Sequence, residues 1–327
     1  MPCHETFDPA RDIPDLSGKV IFITGGTSGI GRAAVLALAS HNPLHIYFTG
    51  RDDLAGEKLV DEVGAKHQCQ VTFIKCDLSS PRELIRLAIS DNFHSPRLDV
   101  FIANAGIMAV PPGLTAEGFE IQFGTNYLGH AVLLRLLRPV MLRTAALPAS
   151  DVRMVVLSSF GHTMAPPGGI EFDRLRAVET PEHRKHVAEA GTKWQRYGQS
   201  KLADILLARA MAKRYPQVTS VSVHPGLVNT NLGAAAESSL LTYLLMSLRW
   251  TPLYKSAEEG AYNTLWAATT PKEELENGGY YEPVGKAAGK QKSVSGMADI
   301  CKDEALADRL WEWTENELAG LKELQGE

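Results

Sequence analysis

The chain has 327 residues, 44% of them hydrophobic and 22% charged, with a net charge of −5. That composition is ordinary for a soluble globular protein, and so modest a charge gives no electrostatic reason to expect nucleic acid. Four scattered cysteines, none at CxxC spacing, exclude a disulfide framework or zinc site and read as reduced cytoplasmic thiols.

The opening "MPCHETFDPARDIPDLSGK" is polar, with no apolar h-region, and is expected to be a loosely held arm over residues 1–17. From there strands and helices alternate. "KVIFIT" reads as a strand and Gly29 to Ser40 as a helix; "HIYFTG" and Asp52 to Gly64 repeat the pair. "VTFIKCD" is a strand, with a helix opening at Ser80 as N-cap and Pro81 as its first residue. "LDVFIANAG" leads to a helix over Phe119 to Leu142, and "VRMVVLSS" to a helix over Tyr197 to Tyr215. "VTSVSVHPG", a helix over Ala257 to Ala268, "GGYYEPVG" and the helical "EALADRLWEWTENELAG" complete the chain. The last helix is expected to pack on the sheet or on a second subunit.

Several strands are apolar almost throughout, which suits a parallel sheet buried on both faces. Repeated βα units predict one doubly wound α/β domain over residues 18–327, of Rossmann type and flanked by helices. No segment has the length and apolarity to span a bilayer; "LLTYLLMSLRW" is too short.

The turn "TGGTSGIGRA" carries Gly25, Gly29 and Gly31 between a strand and a helix. Glycines there let the chain turn sharply, approach a pyrophosphate and pack the helix on the sheet, while the helix N-terminus offers N–H groups to phosphates. Glycines alone are weak evidence; their position between strand and helix is what favours a dinucleotide site. The second strand ends in Arg51 with no carboxylate on the strand end itself, so we expect Arg51 to meet a 2′-phosphate and the cofactor to be NADP(H). Asp52 and Asp53 follow at once and keep NAD(H) open. In "YGQSK", Tyr197 and Lys201 share a helix face, where an ammonium favours the phenolate of its neighbour and suits it to acid–base work.

Taken together, "TGGTSGIG", "CDL", "ANAG", "TNYLGH", "LSS", "YGQSK" and "HPGLVNT" run in the order of the short-chain dehydrogenase/reductase family, and the chain resembles it over about residues 18–232. The wording of "TNYLGH" and "YGQSKLADILLA" is similar to the branch of retinol-dehydrogenase-like and WW-domain-oxidoreductase-like proteins, matching their catalytic domain only. The resemblance implies a tetrad. Tyr197 is its general acid/base and Lys201 holds the nicotinamide ribose. Ser159, in preference to Ser158, bonds the substrate oxygen, and Asn126 supports a water in the proton relay. It also implies cofactor contacts from Gly25, Thr27, Ser28, Gly29, Ile30, Gly31 and Arg51, from Asp77 and Leu78 beside adenine, and from Asn104, Ala105 and Gly106. Pro225, Gly226, Val228 and Thr230 are expected to close over the nicotinamide. For Asn104 and Asn126 the structural reading is a buried amide tying strand or helix backbone, and the two readings can hold together.

An insertion over about residues 160–193 separates serine from tyrosine and is expected on the rim of the site, with His162 as a surface residue. The apolar stretch Leu240 to Trp250, within a segment of about 232–256, is expected to form a substrate lid, which points to an apolar carbonyl or alcohol. An interfacial membrane contact by that stretch is a competing reading. The resemblance further implies a homo-oligomer. The competing function is a non-catalytic NADP(H) sensor, disfavoured by the presence of all four tetrad residues. The three-residue gap before Gly29 disfavours an epimerase or dehydratase.

Overall fold

The computed structural model describes residues 7–177, 180–228, 254–288 and 299–322. Its strands are β1 (Val20–Ile23), β2 (His45–Gly50), β3 (Gln70–Lys75), β4 (Val100–Ala103), β5 (Arg153–Leu157), β6 (Thr219–Val223), β7 (Tyr280–Glu282) and β8 (Lys286–Ala287). They form one sheet in the order β3-β2-β1-β4-β5-β6-β7-β8. Every pair is parallel except β7 with β8. The order reverses between β1 and β4, and such a switch point opens a crevice at the carboxyl ends of the strands.

The helices are α1 (Pro9–Asp12), α2 (Gly29–Ala39), α3 (Asp53–Lys66), α4 (Arg82–Ser90), α5 (Ile121–Phe123), α6 (Gly129–Ala145), α7 (Pro181–Ala188), α8 (Lys193–Arg214), α9 (Ala257–Thr269) and α10 (Glu304–Glu317). The continuous apolarity of the strands is explained by two cores. Ile21 and Ile23 of β1 point to α2, α3 and α9, whereas Val20 and Phe22 point to the face covered by α4, α6, α8 and α10. Side chains alternate across a strand, so burying both faces requires every position to be apolar.

Three expectations change. The arm is packed from Phe7: Phe7, Ile13 and Leu16 join the second core, and Phe7 meets the Tyr262 ring edge-on at 5.9 Å. Apolar side chains spaced along a polar segment were enough to dock it. Helix α4 begins at Arg82 with Pro81 as its N-cap, because Pro81 is extended at ψ 139° and its carbonyl accepts the Leu84 and Ile85 N–H groups. The helix expected over Phe119 to Leu142 is α5 joined to α6 through a π-helical turn, Gly124–Leu128, with Asn126 at its middle. Such bulges gather at functional sites.

The last helix packs on its own chain. Leu306 and Leu310 are buried in the first core, and the Trp313 ring stands edge-on to Phe119, Phe123 and Phe172. Among the described residues no helix is long and apolar enough to cross a membrane. The expected lid lies outside the described residues except for its end, 254–256, as does Thr230.

Candidate active site

The glycine turn shapes one end of a cleft of about 620 Å³ that runs along the carboxyl ends of the strands. Gly25 and Gly29 hold positive φ of 67° and 53°, which residues with a Cβ adopt at a cost. Ser28, the N-cap of α2, makes no side-chain cap bond, so the first N–H groups of that helix are left to the cleft. Gly25, Thr27, Ser28, Gly29, Ile30 and Gly31 all line it.

At the end of β2, the two carboxylates have partners. Asp52 Oδ1 caps α3 through the Ala55 N–H at 3.1 Å, and Asp53 pairs with Lys75. Arg51 is exposed, lines the cleft and has no ion-pair partner among the described residues. Asp77 and Leu78, after the edge strand β3, line the cleft on the Arg51 side, and Asn104, Ala105 and Gly106, after β4, continue the lining toward the other end. Asn104 also ties the turn to the sheet: its Nδ2 donates to the Thr24 carbonyl at 2.7 Å, and the Asn104 and Ala105 N–H groups both donate to Thr24 Oγ1 at 2.9 Å.

The far end holds Tyr197 and Lys201, each 5% exposed and each lining the cleft. Helix α8 is anchored just before them. A capping box joins Thr192 and Gln195, and buried Arg196 pairs with buried Glu120 at 3.3 Å. The Tyr197 ring lies so close to Gly161 that a Cβ there would meet Cε1 at 2.6 Å. Ser158 donates its hydroxyl to the Lys201 carbonyl at 2.7 Å, while the Ser159 Oγ accepts the Gly161 N–H at 3.0 Å and keeps its own proton to give. That difference separates the two serines: Ser158 lines the cleft but is committed as a donor, and Ser159 lies just outside the lining with a donor free.

Asn126 is fully buried. Its amide accepts the Ile107 N–H at 2.8 Å and donates to the Ile107 carbonyl and Ser200 Oγ, both at 2.9 Å. The side chain therefore clamps the loop after β4. The Asn126 backbone carbonyl receives a hydrogen bond at 2.6 Å from Nδ1 of His130, whose Nε2 accepts from Thr24 Oγ1 at 2.8 Å. The tautomer follows from the partners: a carbonyl only accepts, so Nδ1 carries the proton. Burial holds His130 neutral and pushes its pKa down to about 4.

His162, expected at the surface, is fully buried. Its Nδ1 bonds the Ser159 carbonyl at 2.7 Å and its ring stands edge-on to Tyr280. His224 Nδ1 accepts the Phe160 N–H at 3.3 Å, and burial lowers it to about 4 as well. The two imidazoles brace the turn that carries Ser159.

These histidines set an acid limit. The unfolded chain takes up a proton at His130 near pH 6.5, and the folded one only near 4. Stability is therefore full above 6.5 and falls with pH through that window, by on the order of 3 kcal/mol for His130. Urea midpoints measured from pH 7 downward are expected to decline, and His130→Gln to flatten the decline.

Comparison with known proteins places this constellation. The family described as short chain dehydrogenase matches residues 19–169. The chain is 33% identical over 319 residues to the short-chain dehydrogenase/reductase drtF of Aspergillus calidoustus, covering 94% of this chain and 95% of that one. It is 34% identical to mouse retinol dehydrogenase 12, covering 90% and 85%. The chain belongs to the short-chain dehydrogenase/reductase family. Among solved structures, a Mycobacterium paratuberculosis protein superposes with a TM-score of 0.68 at 27% identity, over 95% of this chain and 96% of that one.

This short-chain dehydrogenase/reductase falls in the retinol-dehydrogenase-like branch of a family of nicotinamide-dependent oxidoreductases acting on small molecules. Of the residues the family pattern implicates, those from Gly25 to Gly106, with Tyr197, Lys201 and Pro225, line the cleft. Asn126, Ser159, Gly226 and Val228 do not. Val228 instead bridges to Lys255, and Gly226 turns at φ 90° beside Pro283 and Lys255. Sequence reasoning passed over His130 and Asp204. Each sits one turn from a tetrad residue on the same face, which is the signal that identifies them.

Proposed function

We propose that the protein is an NADP(H)-dependent oxidoreductase that moves hydride between nicotinamide and an apolar ketone, aldehyde or alcohol. The observation that carries this reading is one cleft with Tyr197 and Lys201 at one end and Arg51 at the other. The cleft suits the cofactor, since Gly106 leaves room beside Lys201 and the N–H groups of α2 supply donors for phosphates.

The preference for NADP(H) rests on Arg51. Its guanidinium, at the end of β2, pairs with no carboxylate among the described residues, while Asp52 is taken up as a helix cap. Arg51→Ala is expected to weaken NADPH binding about tenfold, roughly 1.4 kcal/mol, and NADH far less. Fluorescence titration with both cofactors checks this; equal weakening removes Arg51 from cofactor selection.

When bound, the nicotinamide supplies or accepts the hydride. Tyr197 gives its proton to a carbonyl oxygen in reduction and takes one from an alcohol in oxidation. Ser159 donates its free proton to the oxygen as charge builds there. Lys201, with one Nζ donor left for the cleft it lines, would hold the nicotinamide ribose. Asn126 holds the loop after β4 that floors the site. The apolar preference is supported by the exposed apolar side chains of Phe160 and Leu227, each 42% exposed; Leu227 lies two residues beyond the cleft-lining Pro225. Phe160 directly follows Ser159. Turnover of apolar aldehydes and ketones with NADPH, read as loss of reduced-nicotinamide absorbance, tests the reading; small polar sugars are expected to be inert.

A further inference from the structure

Lys201 is not the only buried charge beside the reaction centre. Asp204, one turn further along α8, places Oδ2 2.8 Å from Lys201 Nζ, with the two side chains 1% and 7% exposed. A second Nζ proton goes to the Leu157 carbonyl at 2.8 Å. An ammonium has three donors, so one remains for the cleft that Lys201 lines. Asp204 Oδ1 has no hydrogen-bond partner among the described residues. Helix packing alone has no use for such a group, because an apolar or amide side chain fills the same space without desolvating a carboxylate.

We propose that Asp204 is a positioning residue of the reaction centre, which holds Lys201 Nζ against the Leu157 carbonyl and offsets part of the ammonium's pull on the Tyr197 phenol. The proposal rests on the roles given to Tyr197 and Lys201 above. Lysine alone draws the phenol toward phenolate; a carboxylate beside it works in the opposite sense.

Of the other titratable groups around the pair, Tyr127, His130, His162 and Tyr280 of β7 carry no charge in the neutral range. Tyr127, on the π-helical turn, bonds Thr314 Oγ1 of α10 at 2.6 Å, and burial keeps it protonated. His130 of α6 is neutral through burial, with the Lys201 charge acting in the same direction. Burial also lowers His162, on the 160–164 turn. Glu315 of α10 is paired with Arg135 and Arg138, strand β5 contributes the Leu157 carbonyl, and β6 has no titratable side chain. Burial pushes the Asp204 carboxyl up to about 7 against the pull of Lys201, so its offset acts on the alkaline side.

The test is Asp204→Asn, which keeps the shape and an acceptor for Nζ but removes the charge. The phenolate of Tyr197 is expected to appear at a pH lower by roughly half a unit to one unit. Ultraviolet absorbance of the cofactor-free protein reads this as the signal that Tyr197→Phe removes in the same background. The acid limb of the kcat/KM profile for oxidation of an apolar alcohol is expected to move the same way. Asp204→Ser carries the same prediction, and whichever neutral variant keeps a native melting transition is read. An unmoved phenolate midpoint in that folded variant overturns the proposal. Turnover surviving in Tyr197→Phe overturns the underlying assignment instead, so the two failures are told apart.

Discussion

Tyr197→Phe is expected to lower kcat by roughly 10² to 10⁴ with NADPH binding retained. The substitution removes one hydroxyl. The ring keeps its seat on Gly161 and its edge contact with Trp194 at 6.4 Å, so the turn carrying Ser159 and the face of α8 carrying Lys201 stay in place. The loss falls on proton transfer alone. Initial rates with NADPH and an apolar aldehyde, paired with fluorescence titration of the cofactor, separate the two effects. Retained turnover removes Tyr197 from the proton-transfer role.

Gly31→Ala is the second large effect. A Cβ on Gly31 lands 2.2 Å from the Gly25 carbonyl oxygen and 2.5 Å from Asn104 Nδ2. The first neighbour is backbone, and the second is tied to the Thr24 carbonyl, so neither yields without opening the turn. The expected cost is about 3 kcal/mol of stability, the upper end for overpacking, together with loss of most cofactor affinity. Gly64→Ala is the control: its Cβ meets nothing within 4 Å, and alanine in a helix interior is favoured over glycine by about 1 kcal/mol. Denaturant midpoints and NADPH titrations of both variants check the contrast. A Gly31→Ala protein that binds normally refutes the close approach of α2 to the turn.

Much of this architecture was legible beforehand, and for identifiable reasons. The near-continuous apolarity of "KVIFI" and "RMVVL" marked strands buried on both faces, and the two cores divide their side chains as that pattern requires. The glycine turn and the shared helix face of Tyr197 and Lys201 are local signals, and these residues line the cleft.

Other features escaped. His162 read as a surface residue because it lies in a polar insertion, yet β7 supplies the Tyr280 ring that covers it. The arm read as loose because its apolar residues have no helical or strand period; Phe7 finds its partner, Tyr262, at the other end of the chain. Asn126 was legible as a residue of interest. Its bonds to Ile107 and Ser200 were not, since a π-helical turn leaves no mark in the hydrophobic pattern.

By itself the sequence determined the order of strands and helices, the doubly wound class, the glycine turn and the tyrosine–lysine face. All of these follow from short-range periodicity and turn chemistry. Only the tertiary structure decided which serine keeps a proton to give, which histidines are buried and neutral, and that Lys201 shares its charge with Asp204. Burial and hydrogen-bond partnership arise when segments distant in sequence pack together, and no local pattern encodes which of them will meet.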